Sequence, residues 1–362
     1  MCQFRYGNNR KILLLLVSGN FTDEYVSLVN SSLIMGDVMR FSFIIPVYNA
    51  ERYVEKCLNS IIQQNYDSYE ILLIDDGSRD SGGEICRSVS AKNNNIIYEY
   101  QENAGPSAAR NKGIEKARGE YLIFLDSDDE IKTGTLSRLD CIIREEKPDA
   151  IISNLIIRDL EHGTDAMESV ILDKKSISCS RRSALQELTR KRFYTPASRV
   201  VVRREIVVNN NIRFPLECFI GEDVFMMALA LCKCETFCYN QEPYYIYNQN
   251  PTSIMHNVNF QKMTGTLESC KRLFEISHEL SEDRKQFLYS QISRMAMIVF
   301  TQYVTEFSPE QRKIIRSWMD QNGALLKAVA CVHPATRIAG RIIGVKYAFL
   351  LAGTTVLMIR KR

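Results

Sequence analysis

Asp126-Ser127-Asp128 sets two carboxylates two residues apart, directly after an apolar run. Such a pair on a turn can hold one hard divalent cation and leave positions open for a substrate phosphate. The same pattern also describes a solvated acidic turn. An EF-hand loop is excluded, because its sixth position would be Ile131 rather than glycine and its twelfth Ser137 rather than glutamate. Asp75-Asp76-Gly77-Ser78 is a second acidic turn. A carboxylate there could accept a ring N–H from a base such as uracil, or it could simply shape the turn with Gly77. Glu222-Asp223 is a third acidic pair, at the head of an apolar helical pattern. Acids in a first turn complement the helix dipole, and one of them could also act as general base toward an acceptor hydroxyl. No G-x-G-x-x-G follows the first strand pattern, so the dinucleotide fingerprint is missing.

These residues need a scaffold that brings them to one edge. Short apolar runs at 41–47, 70–75, 95–100, 121–125 and 150–157 read as strands. Helical spacing occupies 51–64, 80–91 (with Asp80 as a cap), 106–118 (with Pro106 in the first turn) and 133–146. Strands alternating with helices imply an α/β fold with a largely parallel sheet covered on both faces. In such sheets ligands bind beyond the carboxyl ends of the strands, and three of those ends deliver Pro46-Val47-Tyr48-Asn49, Asp75-Asp76 and Asp126-Ser127-Asp128. Beyond residue 160 the pattern loosens to helices at 181–192 and 221–232 and strands at 199–202 and 244–247. From residue 260 it is mainly helical.

The chain has 362 residues and a net charge of +3, too balanced for a nucleic-acid coat. That average hides a split: after Asp320 the chain carries seven lysines and arginines and no acid, while everything before is net negative. Residues 347–359 lack charge and precede Arg360-Lys361-Arg362. This is too short to span a bilayer and suits a helix lying in a membrane interface; docking on the body is the other reading. Eleven cysteines in no secretory spacing point to reduced thiols in a cytosolic body. Cys232, Cys234 and Cys238 lack the paired spacing of a zinc site. The apolar run 12–17 is short for a signal peptide, and everything recognisable begins near Phe41, so residues 1–38 read as an upstream extension with Met39 as a candidate start.

The ordered stretches FIIPVYN (43–49), IDDGS (74–78), SAARNKG (107–113), FLDSDD (124–129) and GEDVF (221–225) resemble the motif series of the family 2 glycosyltransferases. The resemblance implies the A-type glycosyltransferase fold (GT-A), with a mainly parallel nucleotide-binding sheet flanked by helices and a helical C-terminal region. It implies a catalytic domain over 39–257, with a nucleotide-sugar half to about 150 and an acceptor half after it, then helices over 258–336 and the basic tail over 337–362. It further implies a nucleotide-sugar donor, a UDP-sugar in the first place, Mn2+ or Mg2+, and inversion at the anomeric carbon. Carried onto this sequence, Pro46, Tyr48, Asn49, Asp75 and Asp76 would frame the nucleotide, and Arg110 and Asn111 would support the loop over it. Asp126 and Ser127 would lie near the ribose, Asp126 and Asp128 would hold the metal, and Asp223 would be the base with Glu222 beside it. The stretch after the strand at 244–247 departs from the family in having Asn248-Gln249-Asn250 where a basic residue is common, and His256 is a further candidate metal or phosphate ligand.

These features imply a hexosyl- or N-acetylhexosaminyltransferase acting on a lipid-linked or polysaccharide acceptor, peripheral at the cytoplasmic face of the membrane and without nucleic-acid partners. Two other readings are a nucleotide-sugar-binding scaffold without catalysis, and a nucleotidyltransferase of related fold. The intact Asp126, Asp128 and Asp223 oppose the first, and the lack of a G-x-G-T-R opening opposes the second.

Overall fold

The computed structural model describes residues 39–168, 178–190, 195–218, 220–249, 260–305 and 307–332. The proposed extension 1–38, His256 and the tail 337–362 lie outside the described residues. Within them the chain runs β1 (Phe41–Val47), α1 (Val54–Ile62), β2 (Tyr69–Asp76), α2 (Gly82–Lys92), β3 (Ile96–Gln101), α3 (Pro106–Lys116), β4 (Tyr121–Phe124), β5 (Glu130–Ile131), α4 (Thr135–Glu146) and β6 (Ala150–Asp159). It continues with β7 (Thr164–Glu168), β8 (Ser178–Ser180), α5 (Arg181–Arg190), β9 (Val200–Arg203), α6 (Arg204–Asn209), α7 (Glu222–Lys233) and β10 (Thr236–Gln249). Four helices close it: α8 (Phe260–Ser277), α9 (Glu282–Thr305), α10 (Pro309–Gln321) and α11 (Gly323–Val332). Among the described residues no helix is long and apolar enough to cross a membrane.

One sheet has the order β3-β2-β1-β4-β9-β6-β10-β5, with β7 on β6 and β8 on β10. The first four strands are all parallel, as the strand–helix alternation predicts. The second half is mixed. β9 enters antiparallel to both β4 and β6, and β10 runs parallel to β6. The strand expected at 244–247 is the far end of the longer β10, whose register against β6 shifts between Asn240 and Tyr245. A break in register hides such a strand, because its period-two signal does not carry across.

Both faces of the sheet are covered, so its central strands are apolar throughout. Ile44, Leu72, Ile74 and Phe124 pack with Ala109 and Ile114 of α3 and with α7. Phe43, Ile45, Ile71, Leu73 and Ile123 face the other way onto Val54, Leu58 and Ile61 of α1 and Leu136 and Leu139 of α4.

The helix α3 is held with unusual care. Asp76 at the end of β2 accepts the N–H groups of Ala104 and Gly105, both at 2.8 Å, and the Gln101 amide at 2.7 Å. Glu70 near the start of the same strand is fully buried and accepts Arg118 N at 2.7 Å and its Nε at 2.9 Å. Ser42 Oγ adds a third bond to Glu70 at 2.7 Å. The strand from Glu70 to Asp76 spans about 20 Å and the eleven-residue helix about 17 Å, so two carboxylates of one strand fix both ends of one helix. In between, α3 lies so close to β1 that a Cβ on Gly113 would come within 2.4 Å of Ile44 Cγ2.

Gly113→Ala should therefore destabilise the fold. Alanine gains up to about 1 kcal/mol of helix propensity, but overpacking against a buried strand costs about 1–3 kcal/mol. A lowered urea midpoint is expected; a raised one would mean that α3 is not seated on Ile44.

Candidate active site

Arg110, one turn into α3, is the hub of the site. Its Nη2 lies 2.7 Å from Asp126 Oδ1 and its Nη1 3.2 Å from Glu222 Oε1. The guanidinium side chain is only 9% exposed, and it stacks over the Phe214 ring at 5.3 Å. Burial opposes its charge, yet Asp126 and then Glu222 raise its pKa above the ordinary arginine value. Phe214 is seated in turn by Asn111, whose Oδ1 accepts Phe214 N at 2.8 Å and whose Nδ2 donates to Phe214 O at 2.9 Å. Phe214 also meets Phe124 of β4 edge-on at 5.1 Å. Neighbouring residues of α3 thus bind the acidic loop after β4 and the segment leading into α7.

Four acids follow β4, interrupted only by Ser127, and each has a different setting. Asp126 keeps 46% of its side chain in solvent beside Arg110. Ser127 and Asp128 are partly exposed on the same turn. Asp129 is buried and accepts Tyr245 Oη at 2.6 Å and Asn248 N at 2.8 Å. Burial first, then the charges of Asp126 and Asp128, push its pKa well above the usual carboxylate range. Glu130, the fourth, joins Lys56 at 2.7 Å and Arg158 at 3.3 Å. Asn248 Nδ2 reaches back to Asp128 O at 2.7 Å and to Glu130 at 3.1 Å. β10 therefore straps the acidic turn in place. Asp129 stands in the FLDSDD stretch and Asn248 in the departing loop, but no sequence motif assigns either of them, or Tyr245, a role in holding the turn.

Asp223 lies in the first turn of α7, partly buried, with its Oδ1 accepting its neighbour Val224 N at 2.8 Å. Burial, then the adjacent Glu222 charge, raises its pKa to about 7, and Arg110 pulls in the opposite direction. A carboxylate poised there matches what general-base catalysis near neutral pH needs. Gly221 begins the helix with φ of 80°, a left-handed conformation that turns the chain into α7 at this point.

The remaining motif residues sit at the ends of β1 and β2. Asp75 is buried and accepts Tyr98 Oη at 2.7 Å and Ser78 N at 2.9 Å, while Asp76 holds the loop into α3. Asn49, at φ of 50°, accepts Arg79 N at 2.9 Å and donates its own N–H to Ser78 Oγ at 3.1 Å. Pro46 lies in β1 opposite Ile74, and Tyr48 presents a ring that is 42% exposed. An exposed tyrosine beside a braced strand end offers a flat apolar face to a ligand.

The donor set suits a hard divalent cation. Asp126 and Asp128 supply carboxylate oxygens on one turn, and Asn248 Oδ1 is buried there without a hydrogen-bond partner. Among the described residues no group of three or more His, Cys, Asp or Glu side chains is placed to hold a metal ion. Mg2+ is commonly bound by one or two carboxylates together with substrate phosphates.

The family described as Glycosyl transferase family 2 matches this chain over residues 42–208. The glycosyltransferase GlyA of Streptococcus pneumoniae is 45% identical over 115 residues, 32% of this chain and 16% of GlyA. The minor teichoic acid biosynthesis protein GgaB of Bacillus subtilis is 31% identical over 210 residues, 57% of this chain and 23% of GgaB. This chain thus spans well under two thirds of either relative. Among solved structures, S. aureus TarS 1–349 in complex with UDP-GlcNAc superposes with a TM-score of 0.69 at 20% identity, covering 88% of this chain and 92% of that one. The GT-A architecture expected from the motifs is the one this superposition gives.

Two outcomes follow from the charges around Arg110. Arg110→Met would leave Asp126 and Glu222 without their shared cation. Breaking a buried pair costs about 3–5 kcal/mol, and because Asp126 is half in water the lower end, about 3 kcal/mol, is expected in denaturant titrations. Asp223 holds its proton in the folded state up to about 7 rather than releasing it near 3.8. Its ionisation therefore removes stability as pH rises through that window, and the cost is complete above it. Asp223→Asn should accordingly raise Tm of the ligand-free protein at about pH 8 and leave it unchanged near pH 4. A gain at the lower pH alone would contradict the assignment.

Proposed function

The chain belongs to glycosyl transferase family 2, and from that premise we propose that it transfers one sugar from a nucleotide-sugar donor, a UDP-sugar, to a hydroxyl of a lipid-linked or polysaccharide acceptor in surface-glycan synthesis, with inversion at the anomeric carbon. The observation that carries this reading is the meeting of Asp126 and Glu222 on one buried arginine, with Asp223 next in sequence. A donor-side acidic turn and an acceptor-side acidic helix start are thereby held against each other. The UDP-GlcNAc bound in the superposed TarS structure and the teichoic acid biosynthesis in the name of GgaB support donor class and setting.

In this reading Tyr48 and Pro46 pack against the base at the open end of β1, and Asp75 and Asp76 keep that edge rigid. Asp126, Asp128 and Asn248 would hold Mn2+ or Mg2+ beside the donor diphosphate. When bound, the cation supplies Lewis-acid neutralisation of the charge that grows on the leaving diphosphate. Asp223 removes the acceptor hydroxyl proton as that oxygen attacks the sugar carbon from the far side. Its pKa of about 7 leaves enough ionised base at neutral pH while keeping it basic enough to accept the proton. Glu222, turned toward Arg110, keeps its charge adjacent to Asp223 and so sustains that raised value. A single displacement needs no enzyme nucleophile.

The cytoplasmic membrane face is the setting we assign to it, because the residues after Asp320 join seven cations to an uncharged apolar run.

A panel of nucleotide sugars tested with Mn2+ and with Mg2+ identifies the donor. Asp223→Asn should keep UDP affinity and lower kcat by roughly 100-fold or more. Asp128→Ala should weaken Mn2+ binding in the presence of UDP and abolish transfer. Undiminished turnover in Asp223→Asn would remove Asp223 as the base.

A further inference from the structure

The catalytic acids use only the first turn of α7. Farther down the same helix lies a groove of about 560 Å3 to which the reaction above gives no role. Phe225, Leu229 and Lys233 line it. They follow Glu222 by three, seven and eleven residues and therefore share its helix stripe. At its upper end the groove meets Asn111 and Phe214, the pair that seats Arg110. It thus runs along the same helix and shares Asn111 and Phe214 with the surroundings of Arg110.

Its surface is aliphatic and cationic. Leu216 is 56% exposed and Ile276 38% exposed, and both line the groove. The rings of Phe214 and Phe225 are buried, so a ligand meets aliphatic side chains, a non-directional surface suited to hydrocarbon. Arg213, Lys233 and Arg272 stand against a single acid, Glu217, which lies 3.8 Å from Arg272. An excess of guanidinium and ammonium groups over carboxylates favours phosphate.

We infer that this groove binds the phosphorylated lipid that carries the acceptor, with hydrocarbon on Leu216 and Ile276 and phosphate among Arg213, Lys233 and Arg272. The acceptor sugar then extends along α7 toward Glu222 and Asp223. Lys233 lies about 16 Å along the helix from Glu222, which leaves space for a sugar between the phosphate and the reacting hydroxyl. The inference rests on the reading of Glu222-Asp223 as the acceptor side.

The test uses the full chain and farnesyl diphosphate as the probe, with farnesol, inorganic pyrophosphate and UDP titrated separately by calorimetry. Farnesyl diphosphate should bind more tightly than farnesol or pyrophosphate. Lys233→Glu and Arg272→Glu should each weaken it by roughly tenfold, about 1.4 kcal/mol, and Leu216→Asp should weaken it while leaving pyrophosphate binding unchanged. UDP affinity should be the same in all three variants, which also reports that they are folded. The inference is overturned if farnesyl diphosphate does not bind, if the charge reversals leave its affinity unchanged, if pyrophosphate binds as tightly, or if UDP displaces it competitively. A chain that binds farnesyl diphosphate at this groove but neither UDP nor any sugar nucleotide of the panel would overturn the transferase reading instead, so the two failures are distinct.

Discussion

A single buried guanidinium has to serve two carboxylates that reach it from different parts of the chain, and most of the surrounding structure can be understood as meeting that demand. Arg110 is 16 residues from Asp126 and 112 from Glu222. Removing a cation from water is favourable only when its partners sit at hydrogen-bond distance with good geometry. A displacement of an ångström at α3 would leave an uncompensated charge next to two acids. This is the physical reason for the bracing of that helix: Asp76 at its entry, Glu70 beyond its exit, Gly113 on β1 and Asn111 locked reciprocally to Phe214. None of these groups needs to touch a substrate to matter for chemistry, because each limits how far Arg110 can move.

The acids of the site show how environment divides identical groups into different tasks. In the run 126–130, Asp126 and Asp128 stay accessible, while Asp129 is buried as the anchor to Tyr245 and Asn248, and Glu130 faces Lys56 and Arg158. The accessible pair is held in place by the buried one. Asp129 adds its bonds to Tyr245 Oη and Asn248 N to the Asn248 amide and the long contact from Asp126 N to Tyr245 Oη at 3.3 Å, so that β10 grips the turn at several points. At α7 the division is between neighbours. Glu222 faces the cation, and Asp223, left with burial and a like charge beside it, has its pKa raised to about 7.

The elements were largely legible in the sequence, since the strands of the first half are apolar on both faces and their helices carry clear periodicity. The positions of β1 to β4, the acidic turns at their ends and the start of α7 follow from that pattern and from the family resemblance. What could not be read were the pairings that cross it. Asn248 reaches Asp128 across 120 residues and Tyr245 reaches Asp129 across 116, and no local period marks either. The motif assigns Arg110 to supporting the loop over the nucleotide and gives no sign of its two acid partners, Asp126 and Glu222. The antiparallel β9 and the register shift in β10 were hidden for a related reason: they depend on which strand arrives next to which, and a short apolar run says nothing of direction.

The near-neutral charge of the whole chain conceals how deliberately its charges are placed. The edge that holds Asp126, Asp128, Glu222 and Asp223 gathers carboxylates around one buried cation. The groove below α7 has the opposite balance, three cations to one acid. In the acceptor orientation inferred above, phosphate meets the cations of the groove and an uncharged hydroxyl meets the acids, so the field is favourable at each. The reversed orientation would set phosphate against Glu222 and Asp223. At ångström separations in a partly desolvated site, such like-charge contacts cost several kcal/mol, enough to fix which end of the proposed acceptor arrives at Asp223. On that reading the orientation of the acceptor is set by the charges on and around α7, without a side chain dedicated to reading the sugar.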